Sequence, residues 1–317
     1  MKRFVFLMFA FASLIVSAQG IKNGSDWNVG SENYQATVNA DKSITFTAMA
    51  EGQELAFRLT PNGKKPNEFT IGEDSSVDGF NPFSKVARVK YIEKQGWKLL
   101  CMYDDKGNLQ EILDGSIVLD GYVMAVDKWM QQMMGQYVMA DGTQVNIGYK
   151  EIYVDGETCP FEHVNFNDCV TGIIQVEGGN RFNGLHEVVL TLDGAVLYEV
   201  ESDEYGFFKR KGHKDVLKWV DNEPRFGYAN FLLLNDKRFR LLKKSTLRVM
   251  RNSILAKHGY MFSSPDLVKY FGSKPWFTPR PSNDDINESL SLVEKLNIEL
   301  IKTEENNPEH NDFVKEP

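Results

Sequence analysis

The sequence predicts an α+β protein: an N-terminal antiparallel β-rich region, built as a meander, sandwich or barrel in one unit or two, followed by a small C-terminal helical module. Three observations carry this. Apolar residues alternate in Ile44-Thr45-Phe46-Thr47 and in Val86-Ala87-Arg88-Val89-Lys90-Tyr91, and β-rich runs recur at 188–192 and 196–200. Asp-Gly pairs beginning at Asp78, Asp114, Asp120, Asp141, Asp155 and Asp193 punctuate the same region, and both residue types tolerate the positive φ that tight hairpins need. After about Tyr228 the apolar spacing changes to three and four, the period of a helix.

The chain opens with basic Lys2 and Arg3, an apolar run from Phe4 to Val16, and small or short side chains at Val16-Ser17-Ala18 before Gln19. This pattern predicts a signal peptide over 1–18. A membrane anchor would need about twenty apolar residues, and polar 19–24 follows at once. No Cys stands after the small residues, which argues against a lipid anchor. The expectation is an exported bacterial protein that is periplasmic, outer-surface-associated or extracellular, and not integral to a membrane after cleavage.

With 42% hydrophobic and 25% charged residues over 317 positions, the chain has the apolar material for a core, which excludes disorder or a fibre. Its net charge of −8 becomes −10 once Lys2 and Arg3 leave, which excludes general nucleic-acid binding. Three cysteines, Cys101, Cys159 and Cys169, are too few for a disulfide scaffold; Cys159 and Cys169 either pair across neighbouring strands or stay as buried thiols. No Cys-x-x-Cys pair or helical His spacing supports zinc. Met124, Met130, Met133, Met134 and Met139 could bind copper through thioethers, but without Cys or His among them core packing is the expected role. No metal and no cofactor is expected.

From Trp27 to about Val220 strands and turns dominate. The clearest hairpin runs 186–192, turns at Asp193-Gly194 and returns over 195–200. Val123, Val126, Met130 and Met133 interrupt with helical spacing, and Gly135 offers a stop. The predicted partition is a β-rich unit over 19–121, a connecting helix over 122–134 and a second β-rich unit over 135–222. A faint echo between 34–46 and 137–147 hints at duplication.

The helical part is placed at 236–305, with a polar tail over 306–317. Leu241, Leu247, Met250, Ile254 and Leu255 mark a first helix, with Gly259 as its left-handed cap. Ser264, Pro265 and Asp266 open a second, which continues through Leu267, Val268, Tyr270 and Phe271 to Gly272. A third begins after Pro281-Ser282-Asn283 and aligns Ile286, Leu290, Val293, Leu296, Leu300 and Ile301 on one face.

Arg251-Asn252-Ser253-Ile254-Leu255-Ala256-Lys257-His258-Gly259-Tyr260-Met261-Phe262, with 267–271 and Trp276-Phe277-Thr278-Pro279 behind it, resembles the YARHG domain over about 238–305. Leu255 stands where that motif has Tyr, and Lys257 where it has Arg. The family occurs in exported bacterial proteins and beside some peptidase domains, so the resemblance implies a cell-envelope role and no known reaction. The candidate ligand-binding residues are Arg251, Lys257, His258, Tyr260 and Trp276. Each also has a structural reading. His258 falls where free carbonyls and the negative dipole end favour an N–H donor, and Trp276 where a ring closes a small core.

Charge is partitioned within this region. Eight basic residues and no acid lie between Lys237 and His258, whereas ten acids face three lysines after Pro281. The first and third helices are therefore expected to touch, with Lys243, Lys244 and Arg248 near acids such as Glu288 or Glu294; a basic face for acidic polymers is the functional counterpart. No Gly-x-Ser-x-Gly elbow, His-Glu-x-x-His helix, phosphate loop or dinucleotide fingerprint occurs, so no catalytic residue is assigned. The expected function is non-catalytic binding of a cell-envelope glycan, surface polymer or protein. The alternatives are an envelope peptide or glycan hydrolase with a catalytic β region, and a lipocalin-like small-ligand carrier.

Overall fold

The structure is a computed structural model that describes residues 20–310, apart from 30–31, 51–52, 73–82, 117–128, 168–170, 192, 221–224, 236–238 and 241. The proposed leader therefore lies outside the described residues, as do Met124, Cys169 and the Asp-Gly pairs at Asp78 and Asp120.

Strands β1 (Asp26–Val29), β2 (Glu32–Val38), β3 (Ile44–Ala50), β4 (Gln53–Pro61), β5 (Glu68–Ile71), β6 (Arg88–Lys94), β7 (Trp97–Tyr103) and β8 (Leu109–Asp114) form an antiparallel meander. It closes into a barrel where Asn28 of β1 pairs with Asp114 of β8. A second barrel follows, of β9 (Gly135–Val138), β10 (Gln144–Ile147), β11 (Glu151–Val154), β12 (Glu157–Asn167), β13 (Thr171–Val176), β14 (Gly184–Thr191), β15 (Gly194–Ser202) and β16 (Phe208–Trp219). It closes through Lys218↔Val138 and Trp219↔Tyr137. Of the meander, sandwich and barrel readings, the barrel is the one observed. Closure removes the open sheet edges that an unclosed meander would leave.

Period-two alternation builds both interiors. In the first barrel Tyr34, Ala36, Ile44, Phe46, Phe57, Leu59, Val89, Tyr91, Leu100, Met102 and Leu113 share one core. Phe46 stacks on Phe57 at 4.8 Å, and Phe83, from the connection between β5 and β6, seats edge-on against Phe57 at 4.7 Å. The second interior is closed by a helical turn at 129–133, the described part of the predicted connecting helix. Its Trp129, Met130 and Met133 are buried with Tyr137, Phe161 and Phe182. Met139 is buried there too, whereas Met134 is exposed. Each barrel is thus plugged by side chains from a connection, the β5–β6 link in the first and the segment joining the two barrels in the second.

Turn chemistry explains the echo between 34–46 and 137–147. Both segments are hairpins with a five-residue turn, 39–43 and 139–143, whose first N–H reaches the fifth carbonyl and whose fourth residue has positive φ, Lys42 at 68° and Gly142 at 87°. The same turn closes β7–β8 at 104–108 and β15–β16 at 203–207. The echo is therefore a turn used within each barrel as well as between them. Asp155-Gly156 forms the expected two-residue hairpin, with φ of 54° and 82°. Asp193-Gly194 differs: Gly194 already pairs with Thr191 and so belongs to the returning strand rather than to the turn. A Cβ on Gly194 would lie 1.8 Å from the Leu217 carbonyl oxygen, so close approach of β15 to β16 is what requires glycine there.

The helical module contains α1 (Lys244–Lys257), α2 (Pro265–Gly272), the short α3 (Ile286–Ser289) and α4 (Leu292–Glu305). The single third helix expected from the apolar stripe is broken: Leu290 is extended, with ψ 133°, and α4 restarts at Ser291 in a capping box with Glu294. The stripe itself, Ile286, Leu290, Val293, Leu296, Leu300 and Ile301, is buried throughout.

Two outcomes follow. A Cβ on Gly172 would lie 2.1 Å from the Trp129 ring, so Gly172→Ala should displace the plug and lower stability by about 1–3 kcal/mol in urea denaturation. His186 is 3% exposed and its Nε2–H donates to the Phe182 carbonyl at 2.9 Å, while Nδ1 is buried without a hydrogen-bond partner among the described residues. Burial lowers its pKa, opposed by Asp215 and Glu199. A lowered folded pKa means this contribution is complete above the unfolded value and is lost as pH falls below about 6.5. The fall in stability between about pH 6.5 and 5 should therefore be smaller in His186→Gln than in the wild type, by up to about 1.4 kcal/mol per pH unit.

Candidate functional site

α1 and α4 run antiparallel, and their ends are tied by named residues. At the end of α1, the Tyr260 N–H reaches the Leu255 carbonyl at 3.1 Å and the Gly259 N–H reaches Ala256 at 2.8 Å, a Schellman closure with Gly259 at φ 77°. Leu255 and Tyr260 then pack in one cluster, the apolar contact that goes with this cap. A Cβ on Gly259 would meet the Thr278 carbonyl at 2.9 Å. His258 is the C-cap residue, and its Nε2 lies 2.8 Å from Glu294 Oε1. Glu294 Oε2 meanwhile accepts the Ser291 N–H at 2.7 Å, so one carboxylate joins the end of α1 to the start of α4.

The basic and acidic helices meet, as their charges predict, but through other pairs. Arg251 Nε lies 2.5 Å from Glu305 Oε2, and the Lys244 ammonium donates to the Asn307 carbonyl at 2.8 Å. Arg248 turns to Asp266 on α2, and this partner holds the Asp266 carboxyl well below the usual range. The Ser264 hydroxyl donates to Asp266 and accepts from Arg248, rather than capping the α2 backbone. The first part of the polar tail is also tied down: His310 bridges Glu304 at 2.6 Å and the Leu242 carbonyl at 3.0 Å.

The module sits on the outside of the first barrel. Leu99, Cys101, Leu109 and Ile112 join Leu247, Met250, Ile254, Leu296 and Leu300 in a shared core. Arg240 lies 3.0 Å from buried Glu111 on β8, and Asn235 donates to the Asn28 carbonyl on β1 at 3.1 Å. Asn297, fully buried, donates to the carbonyls of Ala229 and Leu232 and accepts the Leu234 N–H, which ties 229–234 to α4.

The five candidate residues do not converge. Tyr260 and Trp276 are half-buried in the aromatic cluster of Phe262, Phe271 and Phe277. Lys257 is exposed, His258 is engaged with Glu294, and Arg251 opens on a groove. That groove, about 590 Å³ between α1 and α4, is lined by Lys244, Ser245, Arg248, Arg251, Ile298, Lys302, Glu305 and Asn306. A second groove of about 320 Å³ lies where the first barrel meets α4. It is lined by Glu68, Arg88, Lys90, Tyr103, Asn108, Glu299, Lys302, Thr303 and Asn306, among others. Lys302 and Asn306 line both. The Arg88 guanidinium lies 5.0 Å over the Tyr103 ring, and desolvation raises the Glu299 carboxyl pKa against the pull of Lys90 and Lys302. Among the described residues, no group of three or more His, Cys, Asp or Glu side chains is placed to hold a metal.

A β-barrel pair bearing a small helical module with a basic cleft is the class that this geometry defines. Residues 229–306 match the family model of the YARHG domain, so the module is a YARHG domain, and the region before it matches no family. YARHG domains are typically extracellular or periplasmic, and among the described residues no helix is long and apolar enough to cross a membrane. No curated protein and no solved structure matches the chain. The match begins nine residues before the sequence resemblance does, at the segment that Asn297 ties to α4.

Removing the His258 side chain would leave the nearly buried Glu294 carboxylate short of a partner. His258→Ala should lower stability by about 1–2 kcal/mol in thermal or urea denaturation, whereas Lys257→Ala, at an exposed position, should change it by less than about 0.5 kcal/mol.

Proposed function

We propose that this chain is an exported cell-envelope protein that works by binding, without catalysis, and that its ligand is an acidic glycan or surface polymer held by the YARHG domain. The observation that carries the reading is the charge of the α1–α4 groove, lined by Lys244, Arg248, Arg251 and Lys302 with Glu305 as the one acid in the lining. Arg248 and Arg251 are paired with Asp266 and Glu305, whereas Lys302 forms no ion pair among the described residues. Residues 229–306 hold 13 Lys and Arg against 9 Asp and Glu, in a chain whose net charge is −8. A locally positive cleft on an acidic protein selects polyanions by position rather than by bulk charge. Signal-like residues 1–18 and the usual location of YARHG domains support export.

The filled interiors weigh against a lipocalin-like carrier, which needs an enclosed cavity where Phe46, Phe57 and Phe83 pack here. Glu68 and Glu299 open on the junction groove, and a hydrolase reading would rest on them. Calorimetric titration with dextran sulfate and neutral dextran tests the binding reading. The sulfated polymer should bind more tightly, weaken as salt rises, and lose about tenfold in affinity in Lys302→Glu. Equal binding of both polymers, or release of reducing ends from a polysaccharide, would overturn it.

A further inference from the structure

The junction groove has a different character from the α1–α4 groove, and its side chains come from β5 to β8 as well as α4. Lys90 and Lys302 are exposed, and neither forms an ion pair among the described residues. Both act electrostatically on Glu299, and the same lining holds Asn108, Thr303 and, on the barrel side, Glu68, which also pairs with Lys65 at 3.4 Å. We infer that this groove is a subsite for a carboxylate-bearing sugar ring, the repeating unit of a polyuronate; the inference rests on the acidic-polymer reading above and narrows its ligand.

The chemistry follows from the alternation of charges. A uronate ring carries one carboxylate and several hydroxyl donors. The ammonium groups of Lys90 and Lys302 suit the carboxylate, and the carboxylates of Glu68 and Glu299 accept from hydroxyls, as acidic side chains do when ionised. A polymer of closely spaced sulfates or phosphates offers those two acids no donor and meets them as like charges. Arg88, stacked on Tyr103, adds a planar guanidinium suited to a carboxylate. A volume of about 320 Å³ lies at the small end of ligand sites and fits one or two rings rather than a long segment. Because Lys302 and Asn306 line both grooves, a chain leaving this subsite passes directly into the basic cleft of the module.

Titration of the full exported chain with trigalacturonate, maltotriose and tripolyphosphate tests this. Trigalacturonate should bind at least about tenfold more tightly than either other trimer. Lys90→Ala, which touches the junction groove alone, should weaken trigalacturonate about tenfold and leave dextran sulfate within about twofold. Glu299→Gln should narrow the preference for trigalacturonate over tripolyphosphate several-fold by removing the repelling charge. All these positions are exposed, so melting temperatures should match the wild type. Tripolyphosphate binding as tightly as trigalacturonate, or an unchanged Lys90→Ala, would overturn the subsite while leaving the dextran sulfate result and the wider reading intact. Failure of every polyanion to bind would overturn both.

Discussion

Leu99, Cys101 and Ile112 point away from the interior of the first barrel, and an apolar outer face of this kind is unfavourable in water until another element covers it. The helical module supplies the cover. Burying each such side chain is worth roughly 1.5–3 kcal/mol, so this face does more to hold the module than its exposed ion pairs, at about 0–1 kcal/mol each. The double covering shows in the sequence of β7, where Leu99-Leu100-Cys101-Met102 is continuously apolar instead of alternating. It also creates the junction groove, because α4 lies against the barrel closely enough for Lys302 and Lys90 to line one cleft.

The signature of the YARHG domain reads differently once its backbone is known. Leu255, Ala256, Lys257, His258 and Gly259 are the last turn of α1 and its cap. Gly259 supplies the left-handed residue, Ala256 is buried, Leu255 packs with Tyr260, and His258 holds Glu294. Four of the five positions thus have a packing or capping task, and a Leu at the usual Tyr position can meet the first of these as an apolar contact. Lys257 is the position whose side chain faces solvent.

What the sequence made legible was local. The α+β order, the Asp155-Gly156 hairpin, the Gly259 cap and the apolar stripe of α4 each depend on residues within a turn or two of one another. Barrel closure does not, since Asn28↔Asp114 joins residues with no shared pattern. The break at Leu290 was hidden by a stripe that continues across it, although Ser291 and Glu294 stood at capping-box spacing. Of the site, the basic helix and Arg251 could be read from charge spacing, but the junction groove could not, because Lys90 and Lys302 lie far apart in the chain. The role of Asn297 is hidden for the same reason: an isolated Asn in a helix gives no sign that it will be buried against the distant segment 229–234.

The plugs have a consequence for how this architecture varies. A barrel whose centre is filled by connecting segments, through Phe83 in one case and Trp129 in the other, is a solid body with an inside reserved for packing. Recognition can then be altered only on the outside, by changing loops and outward-facing residues one at a time. Such a scaffold can acquire a new surface without being rebuilt, while its inward positions have almost no freedom to drift.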